Sequence, residues 1–163
     1  MKRIICVLVI AALLLAGCAA PAQPEEAKPM VSMYDLRVSM TDKAPSLPEM
    51  NAVSNSDENA AELFGYLSDL DYEKVEGYFL SYAAAGEAYE IAVVCLKDAA
   101  DVPSLEDSLK AHVDGRVNLY KNYAPERVQQ AQAARIVSEG RYTALIMCDE
   151  QDAVQAAFEA GVR

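Results

Sequence analysis

The chain contains no tryptophan, a single histidine (His112), and only 14 lysines and arginines against 25 aspartates and glutamates. The shortage of positive charge argues against nucleic acid as a partner, because such binding depends on Lys and Arg neutralising phosphates. It argues equally against lying flat on anionic lipid. One histidine and a few scattered cysteines do not make a zinc site, and no metal or other cofactor is expected. There is no G-x-S-x-G, no S-x-x-K and no glycine-rich phosphate loop, so the catalytic chemistries that announce themselves by motif are missing. Asp69, Asp71 and Glu73 alternate as calcium-loop acids do, but Lys74 stands where such a loop needs glycine and Leu80 where it needs a closing glutamate.

The apolar run Ile4 to Leu15 is twelve residues long, short of the ~20 that cross a bilayer. Lys2 and Arg3 precede it, and small residues lead from it into Cys18, which is the layout of a secretory leader. Leu15-Ala16-Gly17-Cys18 resembles the lipobox of bacterial lipoproteins, which implies cleavage before Cys18 and a diacylglyceryl thioether on its sulfur. An ordinary leader cut near Ala20, or a short uncleaved anchor, is the alternative. The expected layout is a signal peptide over 1–17, a lipidated cysteine and tether over 18–30, and one domain over 31–163. The expected location is the extracytoplasmic face of the cell membrane. Removing the leader deepens the net charge from −11 to −13 through loss of Lys2 and Arg3, consistent with a solvated exterior.

Pattern along the chain points to an α+β domain. Val31 to Met40 fits either a strand, with Tyr34, Leu36, Val38 and Met40 alternating, or a helix with Met33, Leu36 and Met40 on one face. Asp42 to Ser54, with two prolines, reads as loop. Ser56 is positioned to cap a short helix over Asp57 to Tyr66, and Asp69 to Val75 reads as a tighter turn. Glu76 to Ala84 and Tyr89 to Leu96 flank Ala85-Gly86, a hairpin signature. Pro103 marks the start of a helix that must stop before Pro125. Glu126 to Gln132 makes a further turn of helix, Ala134 to Ser138 and Arg141 to Cys148 form a second hairpin about Gly140, and Asp152 to Ala160 closes the chain as an amphipathic helix.

The expectation is an antiparallel sheet of about four strands with helices on one face. Tyr89 and Cys95 stand 53 residues before Tyr142 and Cys148, an echo that fits either an internal duplication or two similar strands. Cys95 and Cys148 sit in apolar runs and read as buried thiols; a bridge between them remains open, since an extracytoplasmic location permits one.

The long helix holds the most informative residues. At 100° per residue, Leu105, Leu109, Val113, Leu119, Tyr120 and Tyr123 share one arc, and His112 and Arg116 fall inside it. A charge facing the sheet needs a partner. Glu90, which interrupts an apolar strand, is the first candidate and Glu126 the second. The cluster Glu90, His112, Arg116 and Glu126 is either a structural ion-pair network or a small ligand site, with Arg116 binding an anionic group and His112 carrying a proton.

The lipobox, Phe64-Gly65-Tyr66, Glu90-Ile91-Ala92-Val93, His112 to Tyr120, Tyr123-Ala124-Pro125-Glu126 and Gly140-Arg141-Tyr142 together resemble a family of small lipoproteins, mostly of gut Firmicutes, catalogued as domain of unknown function 4358. The resemblance spans about Asp57 to Phe158 and implies helix at Asp35-Leu36; it brings no activity and assigns no residue a role. The expected role is non-catalytic binding of an envelope protein or a small ligand. An envelope enzyme using His112 and Arg116 with an acid is one alternative, and an accessory subunit of a membrane complex, docking through a bare sheet face, is another.

Overall fold

Two strands of the chain carry apolar residues at consecutive rather than alternate positions (residues 91–96 and 144–147), a pattern that requires cover on both sides of a sheet. The computed structural model, which describes residues 29–163, places them at the centre. In chain order the elements are α1 (Met33–Thr41), β1 (Met50–Ser54), α2 (Ala60–Phe64), β2 (Val75–Ala83), β3 (Glu90–Leu96), α3 (Val102–Tyr123), α4 (Val128–Gln132), β4 (Arg135–Glu139), β5 (Tyr142–Met147) and α5 (Gln151–Val162). The sheet is antiparallel throughout with strand order β1-β2-β3-β5-β4. Every residue of β3 and β5 is buried. The leader, Cys18 and most of the tether lie outside the described residues.

The α+β class and both hairpins stand as expected, with Gly86 (φ +81°) and Gly140 (φ +58°) taking the left-handed conformation in the turns. The ambiguous N-terminal segment is a helix, opened by Ser32, whose hydroxyl accepts from the Asp35 N–H. Packing begins one residue before the expected domain start, because Met30 lies against the core beside Gly77.

Two expectations are corrected. The sheet has five strands, since Met50–Ser54, read as loop, pairs with β2. That edge strand has only Val53 as a β-branched residue and is half exposed, so its pairing comes from β2 rather than from its own pattern. The helices also cover both faces, not one. On one side α1 and α5 bring Met33, Leu36, Met40, Val154 and Phe158 onto Phe79, Ile91, Val93, Ala144 and Ile146. On the other, α2 and α3 bring Phe64, Leu105 and Leu109 onto Tyr78, Leu80, Ala92, Val94 and Leu145. The bare sheet face required for accessory-subunit docking is therefore absent among the described residues.

The 53-residue echo belongs to the strands alone. The paired positions face the same side, but the helix after the first hairpin packs on one face and the helix after the second on the other.

Cys95 and Cys148 are free and buried. Cys95 pairs with Tyr142 and Glu90 with Met147, so Cys148 lies past the opposite end of the β3/β5 pair. At ~3.4 Å per residue the separation is roughly 20 Å along the strands, far beyond the ~7 Å limit for a disulfide. Burial pushes the Cys148 thiol up to about 11 and the Tyr78 phenol up to about 12. The unfolded chain ionises these groups at lower pH than the folded one, so their contribution to stability is full below pH ~9 and is lost as pH rises. Denaturant unfolding at pH 10.5 should show a loss of about 2 kcal/mol attributable to Cys148, which Cys148→Ala removes. An unchanged pH slope in that variant would refute the assignment.

Candidate functional site

α3 runs 22 residues, and its contact stripe moves round the helix as it crosses the sheet. In the first half Leu105 and Leu109 are buried; in the second half the buried residues are Val117 and Tyr120, which pack with Ala88, Ala131 and Met147. Leu119 and Tyr123, expected on the core arc, are instead exposed, Tyr123 at 82%. An arc drawn for a straight helix on a flat surface does not follow this drift. The strip that leaves the core, His112, Arg116 and Leu119, turns toward β1 and β2.

There the face is thinly covered, because α2 has only five residues. The result is a solvent-open cleft of about 580 Å³. Val53, Leu80 and Tyr82 line it from the sheet, Leu63 and Tyr66 from α2 and its exit, and His112, Gly115, Arg116 and Leu119 from α3. Glu90, at the start of β3, also reaches it.

Three of the four expected cluster residues meet. His112 Nε2 lies 2.7 Å from Glu90 Oε2, and Arg116 Nε lies 2.6 Å from Glu90 Oε1. The Arg116 Nε–H is not aimed at a partner oxygen, so that contact is a charge pair rather than an aligned hydrogen bond. The Glu90 side chain is 4% exposed, His112 14% and Arg116 26%. The carboxylate is thus at the back of the cluster and its two basic partners are toward the cleft. Glu126 does not join: it is 71% exposed and 3.7 Å from Arg127, because Pro125 ends α3 and starts a separate turn over Pro125–Arg127.

The helical arc places Tyr120 with the core, but its hydroxyl also has a polar role. It accepts from Arg116 Nη2 at 2.5 Å and donates to the Glu87 carbonyl at 3.0 Å, fixing the guanidinium to the β2–β3 turn. Burial raises the Tyr120 phenol, with Arg116 pulling the other way. Arg116 also lies 5.0 Å from the Tyr120 ring centroid. One carboxylate oxygen of Glu87 is buried without a partner in the same region.

Four of the other acidic groups have structural duties. Asp69 accepts from Ser108, Asp71 caps the turn at Glu73, Glu150 accepts from Ser46, and Asp152 pairs with Arg135. Among the described residues no group of His, Cys, Asp and Glu is arranged to hold a metal ion, and no helix is long and apolar enough to cross a membrane.

The cleft can hold an apolar body against its walls and a polar group against His112 and Arg116 of α3. A family described as a domain of unknown function (DUF4358) matches residues 46–148, which takes in every residue of the cleft and cluster. No curated protein and no solved structure matches the chain.

Proposed function

The chain belongs to the DUF4358 family, whose description carries no activity, and from its geometry we propose that the domain is a ligand-binding module. In this reading Cys18 is lipidated, the mature protein is held on the extracytoplasmic face of the membrane, and the cleft between α2 and α3 takes a small molecule. The observation that carries the reading is the opening of a nearly buried charge cluster into an apolar cleft. A purely structural ion pair gains nothing from such an opening, whereas an apolar pocket with a few convergent polar groups is the usual form of a binding site.

Two measurements test the two halves. Cys18→Ser should move the protein from the membrane fraction to the soluble one, and mass spectrometry of the parent should find a diacylated N-terminal cysteine. An unmodified thiol there, or an intact leader, removes the anchor. For the cleft, fragment binding monitored by NMR should perturb Tyr82, Gly115 and Leu119; hits that all map elsewhere remove the binding role.

A second reading is proton chemistry by the Glu90–His112 pair. It is favoured by the 2.7 Å contact at Nε2, which leaves Nδ1 without a hydrogen bond among the described residues. That arrangement resembles a carboxylate-oriented general base. A turnover abolished by His112→Gln at unchanged stability would favour it over binding alone.

A further inference from the structure

We propose that the ligand of this cleft is a small apolar or aromatic acid, its carboxylate held by Arg116 and its body lying between Tyr66, Tyr82 and Leu119. This rests on the cleft being a binding site and adds the ligand's chemical class. The reasoning is a count of donors and acceptors. Both oxygens of Glu90 are already engaged, one by His112 and one by Arg116, and its side chain is 4% exposed, so the only carboxylate lining the cleft among the described residues has little to offer a ligand.

A guanidinium has five N–H donors. Arg116 pairs with Glu90 by charge through Nε, without an aligned N–H bond, and gives one Nη2–H to Tyr120. The three other Nη–H groups have no protein acceptor among the described residues, and neither Nη atom is buried without a partner. The cleft therefore presents surplus donors on a fixed, charged fork, the arrangement that pairs best with a carboxylate. Glu90 and Tyr120 hold that fork from behind, so little side-chain entropy remains to be lost on binding. The walls supply the rest of the specificity: Val53, Leu63, Leu80 and Leu119 offer no hydrogen bonds, so a wholly polar anion such as phosphate satisfies Arg116 and leaves the apolar surface wet. In a chain of net charge −11, the Arg116 guanidinium is a local positive group on the cleft wall. Binding should accordingly weaken less with salt than a surface ion pair does, because the contact lies inside a cleft.

The probes are 2-naphthylacetate and 2-naphthylacetamide, which differ in the charge of the head and share the body. Titration calorimetry on the mature domain should find the acid bound at least about tenfold tighter than the amide. Gly115 provides the variant that leaves the fold intact: it lines the cleft next to Arg116, and a Cβ built there meets nothing within 4 Å. Gly115→Glu and Gly115→Gln add side chains of equal size, and both improve helix propensity. The Glu variant should bind the acid about fivefold to tenfold more weakly than the Gln variant does, with the amide indifferent to the choice. Equal affinity for acid and amide in the parent, or equal acid affinity in the two variants, overturns the proposal while leaving the cleft as a binding site. If neither probe binds, the binding reading itself falls with it.

Discussion

Replacing both basic partners of Glu90, His112→Leu with Arg116→Leu, should lower stability by about 3–5 kcal/mol, because the Glu90 carboxylate would then be buried without a partner. The effect is asymmetric. Removing Glu90 alone leaves His112 and Arg116, which are already partly exposed, free to turn to water in the cleft, so Glu90→Gln should cost visibly less. Removing all three polar groups, with Leu also at position 90, should restore most of the loss, since a buried ion network replaced by apolar groups of similar volume is often neutral or stabilising. Denaturant unfolding of the double and triple variants decides the matter. A double variant as stable as the parent would show that Glu90 does not depend on its partners. A triple variant that matches the parent in stability and no longer prefers the acid probe would show that the charges serve binding rather than the fold.

The elements legible in the sequence are those whose side chains decide their own structure. β3 and β5 were legible as apolar runs, α3 as a helix bounded by Pro103 and Pro125, and the hairpins by Gly86 and Gly140. The same apolar runs also require cover on both faces of the sheet. A strand such as Ile91 to Leu96, without a polar alternate, cannot have one face in water, and this is why helices lie on both sides. β1 was illegible for the opposite reason: Met50-Asn-Ala-Val-Ser54 gains its pairing from β2 and has little pattern of its own.

At the site, the pairing of Glu90 with His112 and Arg116 followed from one rule, that a charge in an apolar strand needs an opposite charge facing it. Glu126 failed because sequence proximity to α3 says nothing about where the chain goes after Pro125. The cleft depends on an absence, the shortness of α2, and on the drift of the α3 contact stripe. Both are relations between elements, and neither is written in any single segment.

Phe64→Ala should cost about 3–5 kcal/mol, the usual range for deleting a buried aromatic, and should also disable the cleft. A five-residue helix has no stability of its own in water, so α2 is held by what it buries. Phe64 is 1% exposed and meets the Tyr72 and Tyr78 rings at centroid distances of 5.5 and 5.2 Å. Tyr78 in turn donates to the Ala60 carbonyl at 2.7 Å, tying the first turn of α2 to the sheet. Losing the Phe64 ring frees the segment that carries Leu63 and Tyr66, so the apolar wall opens while the Glu90 cluster stays in place. Both naphthyl probes should then weaken together, unlike the charge-selective effect expected at Gly115. Tyr66→Ser separates the wall's contact with ligand from its support of the fold. The ring is 67% exposed, so its loss should change stability by no more than about 0.5 kcal/mol while weakening acid and amide alike. Unfolding curves and titrations on the same two variants test the arrangement. A Phe64→Ala protein that stays folded and binds both probes as the parent does would place the ligand somewhere other than between α2 and α3.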